Sequence, residues 1–227
     1  MKTHKVYTGK DLVDRYDYRH FGGKGGQHVF HRDCAVLESL LGASRGLLLD
    51  VPCGTGVYSI VFQEKGHRVV AADASMLMLE KTGQRRAGIP RVLCDINQLP
   101  FKSGVLDAVM TVRLFQHLPG DNVVRVLQEL GRVTGPGGLV IFDTFRWSPR
   151  KPPLFKSEMY VYSHRSVEKM IEEAGLRKVQ AHSLYLFSPI MYRKMPVWFL
   201  RGLDMVERVV PQLWRLRTFW ACVSSRG

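Results

Sequence analysis

Cysteine is scarce in this chain of 227 residues, and the four that occur, Cys34, Cys53, Cys94 and Cys222, stand far apart. Because no two are closely spaced, the pattern of a zinc or iron–sulfur site is missing, no metal is implied, and we expect free thiols. The sequence also lacks an apolar stretch before Asp11 and any run of about 18 apolar residues. The sequence therefore predicts neither a signal peptide nor a membrane span. A cytoplasmic location is the expectation that follows.

Acidic residues are few relative to basic ones: 20 Asp and Glu stand against 33 Lys and Arg, which gives a net charge of +13. This balance favours an anionic partner, and nucleic acid, anionic lipid and a small acidic substrate all remain open. The basic residues are spread along the chain, so a solvated basic surface without a partner is a further alternative. The length and the 45% of hydrophobic residues predict a single domain over residues 1–227.

The most informative stretch that is present is LLLDVPCGTGVYS at residues 47–59. An apolar run that ends at Asp50 predicts a buried strand, and the glycines that follow predict a loop on which a ligand contacts the backbone before a helix starts. A dinucleotide-binding loop places a third glycine or alanine where this chain has Ser59. Asp50 would also repel a pyrophosphate, whereas it would attract a cationic ligand.

A second acid, Asp73, ends the next apolar strand. It lies 23 residues after Asp50, close to the offset of about 20 at which a carboxylate reaches a ribose hydroxyl in folds of this kind. An adenosine that carries a positive charge is the ligand that satisfies both acids. The pattern therefore predicts S-adenosylmethionine, with S-adenosylhomocysteine as the product.

Over residues 47–144 the chain resembles the class I S-adenosylmethionine-dependent methyltransferases, in particular the methyltransferase type 11 branch that contains the ubiquinone and menaquinone C-methyltransferases. The segments that match, in the family's order, are DVPCGTG at 50–56, AADAS at 71–75, CDINQLPF at 94–101, LDAVMTV at 106–112 with FQHL at 115–118, and PGGLVIFD at 136–143. Pro52 stands where the family usually has glycine.

The resemblance implies an α/β fold: a Rossmann-like, doubly wound sheet of seven strands, mostly parallel with an antiparallel last strand, and helices on both faces. The pattern itself predicts alternating strands and helices, with Asp121 capping one helix and the glycines at 135–138 turning the chain into the fifth strand. The remaining predicted elements are helices at 32–41, 56–65, 75–86, up to 133, and 163–174, and strands at 47–50, 67–72, 91–94, 106–112, up to 144, 179–187 and 219–224.

Three segments lie outside this alternation. Residues 1–30, with the glycine cluster at 22–26, predict a flexible lid. Residues 145–162 and 189–217 are predicted substrate-side insertions, and the second has the pattern of amphipathic helices rich in tryptophan and arginine. It is expected to be a helical cap on the sheet edge with its arginines in water; a lipid-facing lid and a docking site for a partner protein are the alternatives.

The resemblance also implies the residues of the cofactor site. Gly54 and Gly56 give backbone access to the methionine part, Asp73 binds the ribose, and Asp95 with Ile96 borders the adenine. Arg19 could bind the cofactor's carboxylate, and Tyr16 could stack on it or donate a hydrogen bond. The full predicted set is Tyr16, Arg19, Asp50, Pro52, Cys53, Gly54, Gly56, Asp73, Ala74, Asp95, Ile96 and Val112.

The loop after the fourth strand is expected to face the methyl group. His117 could act as a general base, or could only hold the loop before Pro119. Arg113 could pair with a carboxylate or phosphate of the substrate or face solvent, and Phe115 is a candidate substrate contact. Because the loop lacks the Asn/Asp-Pro-Pro-aromatic sequence, methylation of adenine amino groups in nucleic acid is not favoured.

These features predict in-line transfer of a methyl group to a small-molecule acceptor, anionic or lipid-like, with peripheral membrane contact open through residues 189–217. The protein's main contribution would be alignment and exclusion of water. An RNA or protein methyltransferase that uses the basic surface is the alternative. A non-catalytic protein that binds this cofactor or a nicotinamide nucleotide is a third possibility.

Overall fold

The structure is a computed structural model that describes residues 9–43, 46–146, 159–187, 189–209 and 216–224. Seven strands form one sheet in the order β3-β2-β1-β4-β5-β7-β6. Their bounds are β1 Leu47–Asp50, β2 Arg68–Asp73, β3 Arg91–Leu93, β4 Leu106–Thr111, β5 Thr134–Phe145, β6 Leu176–Leu184 and β7 Arg217–Ser224. The helices are α1 Lys10–Phe21, α2 Gly23–Leu41, α3 Val57–Glu64, α4 Met76–Arg85, α5 Gly120–Val133, α6 His164–Glu173, α7 Pro189–Lys194 and α8 Val197–Val209.

The strand directions confirm the predicted fold class. Strands β1 to β5 pair in parallel, and β7 is antiparallel to both of its neighbours, β5 and β6. Strand order reverses between β1 and β4, and in such sheets ligands bind beyond the carboxyl ends of the strands at that point. The carboxyl edge around β1 and β4 is therefore where the site is to be sought.

Two apolar layers cover the sheet. On one face, α5 and α6 pack their buried aliphatic residues against β4, β5 and Trp220 of β7. On the other face, α2, α3, α7 and α8 form a second core around Phe62, Met110 and Phe219. Among the described residues, none of the helices has both the length and the hydropathy that are needed to span a membrane.

The glycine cluster at 22–26 was predicted to be too flexible for a core element, and this prediction is wrong. Gly22 ends α1 and α2 starts at Gly23, with Gly25 and Gly26 buried. A Cβ on Gly26 would lie 2.6 Å from the carbonyl carbon of Phe21. The glycines therefore allow two helices to meet at a tight corner.

Three further predictions need correction. Pro119, not Asp121, occupies the N-cap position of α5, and Asp121 lies in the first turn. The glycines at 135–138 belong to an irregular stretch of β5, because a Cβ on Gly138 would lie 2.8 Å from the Asp107 carbonyl oxygen. Strand β6 covers Leu176–Leu184 rather than 179–187, since its pairing with β7 already begins at Leu176.

The second insertion forms two helices, α7 and α8, as predicted, and α8 has one buried and one exposed face. Arg217 departs from the expectation that the arginines of this segment face water: it opens β7 and is 1% exposed. Of the first insertion, residues 147–158 lie outside the described residues, as do residues 1–8 of the predicted lid and residues 210–215.

Candidate active site

Two carboxylates stand at the carboxyl edge of neighbouring parallel strands. Asp50 ends β1, Asp73 ends β2, and the register pairs Asp50 with Ala71. Between them the chain makes a loop that is fixed to β2, because the Cys53 backbone N–H donates to the Ala72 carbonyl at 2.8 Å. The strand pairing thus holds the loop between the two acids.

The loop uses two glycines in left-handed backbone conformations, Gly54 with φ 55° and Gly56 with φ 76°. A side chain is excluded at Gly56, where a Cβ would lie 2.7 Å from the Thr82 hydroxyl oxygen. The Gly54 backbone N–H donates to Asp73 Oδ2 at 2.9 Å, and the Ser75 backbone N–H donates to Asp73 Oδ1 at 2.9 Å. Asp73 is therefore fixed by the backbone on both sides of the pocket.

The two acids are destabilised as anions. Burial raises the pKa of Asp73, although backbone hydrogen bonds from Ser75 and Gly54 partly offset the effect. Burial also raises the pKa of Asp50, to about 7. The hydrogen bond from Ser59 lowers this pKa in part, and the negative charge of Asp73 raises it further. The Ser59 hydroxyl donates to Asp50 Oδ2 at 2.5 Å, which explains a serine at a position where dinucleotide-binding loops have glycine or alanine.

This environment fits S-adenosylmethionine on chemical grounds. Burial raises the pKa of both carboxyls, and the charge of Asp73 raises that of Asp50 further, so a cation placed between them would stabilise their ionised forms. The ligand carries such a charge on its sulfonium, and its ribose offers hydroxyl donors to a carboxylate. A pyrophosphate in the same place would add a third negative group.

Helix α1 lies over the glycine loop. A Cβ on Gly54 would lie 3.7 Å from a ring carbon of Tyr16, and the Thr55 hydroxyl donates to Asp17 Oδ1 at 2.5 Å. Arg85 of α4 forms an ion pair with the same Asp17. Tyr16 therefore lies against the glycine loop, and its contact with the cofactor stays a prediction. The side chain of Arg19 lies outside the described residues.

The other predicted cofactor residues line the same edge with different exposure. Pro52 follows a cis peptide bond, Cys53 and Val112 are buried, and Ala74 is exposed at the start of α4. Ile96 is buried beside the exposed Asp95, whose Oδ1 accepts from the Asn97 backbone N–H at 2.9 Å. Their contacts to a cofactor stay predictions.

On the acceptor side, Arg113 follows β4 with a left-handed φ of 63°. Its backbone N–H donates to Asp143 Oδ1 at 2.5 Å, its Nη2 donates to the Tyr16 hydroxyl at 3.1 Å, and its Cζ lies 4.6 Å from the centre of the Phe21 ring. Arg113 thus connects the loop after β4 to α1, the helix that covers the glycine loop. Its side chain contacts protein groups and does not simply extend into solvent.

The other two acceptor-side candidates, Phe115 and His117, lie in different environments. Phe115 is 1% exposed and packs on Phe142, with ring centres 5.0 Å apart, so its contacts are those of the core. His117 is exposed on a short 3₁₀ helix, with its Nε2 3.0 Å from Gln116 Nε2. The roles of Phe115 as a substrate contact and His117 as a base stay predictions.

Sequence reasoning missed a buried ionic cluster beside Arg113. Arg217 donates through Nε to Asp143 Oδ2 and through Nη1 to Asp33 Oδ2, both at 2.6 Å. The hydroxyls of Tyr58 and Tyr185 donate to Asp33 at 3.0 and 2.8 Å. Asp33 and Arg217 are 184 residues apart in the sequence, so no local pattern predicts that they pair. The one available signal was that Asp33 and Asp143 are acids within otherwise apolar segments.

The comparisons with known proteins indicate the kind of domain to which the carboxyl edge of this sheet belongs. Residues 49–142 match the family model described as a methyltransferase domain. The chain is 38% identical over 97 residues to the malonyl-[acyl-carrier protein] O-methyltransferase of Serratia marcescens, covering 43% of this chain and 37% of that protein. It is 34% identical over 146 residues to the demethylmenaquinone methyltransferase of Thermobifida fusca, covering 62% and 61%.

Among solved structures, magnesium protoporphyrin IX methyltransferase from Synechocystis PCC 6803 with bound SAH is similar, with a TM-score of 0.64, 17% identity, and coverage of 96% of this chain and 95% of that one. At this identity the likeness concerns the fold. The chain spans between about a third and three fifths of the length of the two relatives named above. The family match thus identifies a methyltransferase domain over residues 49–142, and the similarity of fold extends over nearly the whole chain.

Proposed function

We propose that this protein transfers a methyl group from S-adenosylmethionine to a small-molecule acceptor. The observation that carries the proposal is the pair of buried acids, Asp50 and Asp73, on either side of a glycine loop whose backbone is bonded to Asp73 at 2.9 Å. A pocket with this charge is matched to a cationic nucleoside rather than to a dinucleotide.

The residues that would hold the cofactor follow from their positions. Gly54 and Gly56, with their left-handed backbone conformations, would shape the loop against which the methionine part lies. Asp73 at the end of β2 would bind the ribose, and Asp50 at the end of β1 would supply negative charge next to the loop. Tyr16 covers the loop from α1. When bound, the cofactor supplies a methyl group on a positively charged sulfur.

The chain's own contribution is alignment and exclusion of water. Helix α1 is tied to the loop by the Asp17–Thr55 hydrogen bond and the Asp17–Arg85 ion pair, and it is tied to the acceptor side through Tyr16 and Arg113. Alignment of this kind accounts for up to about 7–11 kcal/mol of a barrier. A general base is needed only for an acceptor that must lose a proton, and His117 is the candidate in the loop after β4.

The finer part of the proposal concerns the acceptor, which we infer to be anionic or lipid-like. The relatives act on malonyl-[acyl-carrier protein] and on demethylmenaquinone, according to their names. The position of Arg113 in the loop after β4, close to Tyr16, favours an acceptor with an anionic group. The exposed apolar face of α8, described below, favours one that is reached at a lipid surface.

The direct experiment incubates the protein with methyl-labelled S-adenosylmethionine and a metabolite extract, and identifies the labelled product by mass spectrometry. Label in a small molecule is expected, and its absence in the Asp73→Ala variant is the control. Label in RNA or in protein only would favour the alternative in which the basic surface binds a macromolecule. A thermal shift caused by NAD, with none caused by S-adenosylhomocysteine, would contradict the proposal.

Helix α8 presents an unusual solvent face. Trp198, Met205 and Val209 are 75%, 71% and 81% exposed, and Phe199 and Val206 are also exposed. The opposite face of the helix is buried, with Leu200 and Leu203 in the core around α2 and β7. Exposed apolar side chains that are grouped along one helix are typical of an interaction site.

The charges of α8 specify the kind of surface that fits these apolar side chains. Both of its acids turn toward α2: Asp204 pairs with Arg32 at 3.1 Å and with His28, and Glu207 pairs with Arg32 and accepts from the Leu186 backbone N–H at 3.1 Å. Arg201 is exposed instead. Exposed apolar side chains beside Arg201, on a chain of charge +13, fit an anionic membrane surface, where Trp side chains are favoured. We therefore propose that α8 contacts such a membrane peripherally.

Co-sedimentation with vesicles tests this contact. The wild type should sediment with vesicles of phosphatidylcholine and phosphatidylglycerol. A smaller fraction of the variants Trp198→Ser and Val209→Ser should sediment with them. Val179→Ser is the matched control, because Val179 is 53% exposed on β6, away from α8. Equal sedimentation of Val209→Ser and Val179→Ser would show that α8 is not the contact.

A further inference from the structure

The Arg217 guanidinium uses two of its three nitrogens in hydrogen bonds within the described part of the chain. Its Nε and Nη1 donate to Asp143 and Asp33, each at 2.6 Å, and its guanidinium lies over the Phe219 ring with Cζ 4.5 Å from the ring centre. The third nitrogen, Nη2, is buried and has no hydrogen-bond partner among the described residues. With the residue only 1% exposed, this N–H is not compensated by bulk water.

Arg113 has the same property. Its Nε is buried without a partner in the described part of the chain, while its Nη2 donates to the Tyr16 hydroxyl. Arg217 is ion-paired with two carboxylates, whereas none of the described acids lies within ion-pair distance of the Arg113 guanidinium. Arg113 is thus a partly buried cation that lies over the rings of Phe21 and Tyr16.

The two arginines are neighbours. The backbone N–H of Arg113 and the Nε of Arg217 bond to opposite oxygens of the same carboxylate, that of Asp143. Buried donor nitrogens without partners among the described residues, on two arginines held by one carboxylate, are an arrangement that an anionic oxygen group would satisfy.

Both residues stand at the carboxyl edge of the sheet, on the acceptor side of the cofactor loop. Arg113 follows β4, and Arg217 opens β7 opposite Phe145, where β5 ends. An anion there would be next to, and distinct from, the pocket between Asp50 and Asp73. A purely structural ion pair would account for two nitrogens of Arg217 but leaves Nη2 and the Arg113 Nε unexplained.

We propose that Arg113 and Arg217 together form the binding site for an anionic oxygen group, a carboxylate or a phosphate, of the methyl acceptor. The inference rests on the proposed function, since it assigns the acceptor's anchor group in that same site. Asp33 and Asp143 are positioning residues that fix the Arg217 fork, and Tyr58 and Tyr185 hold Asp33 in turn.

The test measures binding of octanoate, octyl phosphate and the neutral octanamide to the protein saturated with S-adenosylhomocysteine, by isothermal titration calorimetry. Octanoate and octyl phosphate separate a carboxylate from a phosphate as the preferred group. The variants are Arg113→Gln, Arg217→Lys and Arg217→Gln, and Arg125→Gln on the exposed side of α5 is the matched control. Thermal melts without probe report folding, and Arg113→Gln keeps the test decisive if the Arg217 variants do not fold.

At least one anion should bind the wild type and the Arg125 control, and should bind Arg113→Gln about tenfold more weakly or worse, because charge-assisted hydrogen bonds are lost. The neutral octanamide should bind weakly, and its affinity should be the same for the wild type and the arginine variants. Equal binding of the anions to wild type and Arg113→Gln, equal binding of octanamide and octanoate, or no anion binding at millimolar concentration would overturn the anion site. If S-adenosylhomocysteine itself does not bind, the proposed function fails first, and the two failures are distinguishable.

Discussion

The titration of Asp50 gives a quantitative prediction for the free energy of unfolding. Burial raises the pKa of this carboxyl from 3.8 to about 7 in the folded protein. A carboxyl whose folded pKa is raised stabilises the fold while it is protonated, and that contribution disappears as the pH rises through the folded pKa. We therefore expect ionisation of Asp50 to destabilise the ligand-free protein between about pH 4 and pH 7.

The magnitude follows from the size of the shift. A difference of about three pKa units corresponds to about 4 kcal/mol between the acidic and alkaline limits, and to about 2–3 kcal/mol between pH 5 and pH 8. Because many other groups titrate, the quantity to compare is the difference between wild type and Asp50→Asn, whose amide oxygen can still accept from Ser59 but does not ionise.

Urea unfolding at pH 5, 6.5 and 8 measures this difference. The Asp50→Asn variant should gain about 2–3 kcal/mol on the wild type as the pH rises from 5 to 8. Saturating S-adenosylmethionine should reduce the gain, because a cation in the pocket favours the ionised acid. A constant difference across the three pH values would refute both the burial argument and the assignment of a charge-sensitive pocket.

Three other changes have defined outcomes. Ser163→Ala should destabilise the protein by about 1 kcal/mol in urea unfolding, because the Ser163 hydroxyl caps α6 by accepting from the Ser166 backbone N–H at 3.0 Å. Gly56→Ala should cost more than about 1 kcal/mol, since φ is 76° and the new Cβ would lie 2.5 Å from a Thr82 methyl carbon; a melting temperature equal to that of wild type would contradict the loop geometry. His117→Ala should lower turnover by about 10²-fold or more with unchanged S-adenosylhomocysteine affinity, and unchanged turnover would remove the base assignment.

Much of the fold was predictable because local sequence patterns determine its strands, loops and helix ends. The apolar runs that end at Asp50 and Asp73 and the glycines between them have the spacing of a βα unit, and β1 and β2 end at these two acids as predicted. Ser163 and Gly175 bound α6 as caps do. Each of these signals depends on residues that are close together in the sequence.

The missed features depend on contacts between distant segments. Glycines at 22–26 are flexible alone, and they become helical only because α1 and α2 meet closely at Phe21. Arg217 has the composition of a surface residue, but Asp33 and Asp143, from other parts of the chain, allow it to be buried. Local patterns do not report such pairs, so the acceptor side of the site was harder to predict than the cofactor side.

The most direct measurement is isothermal titration calorimetry of S-adenosylmethionine and S-adenosylhomocysteine into the wild type and into Asp73→Ala. We expect one site in the wild type, and an affinity lower by about tenfold or more in the variant, because a buried carboxylate partner is lost. Thermal melts should show that the variant remains folded. Absence of binding to the wild type, or undiminished binding to folded Asp73→Ala, would contradict the assignment of this pocket.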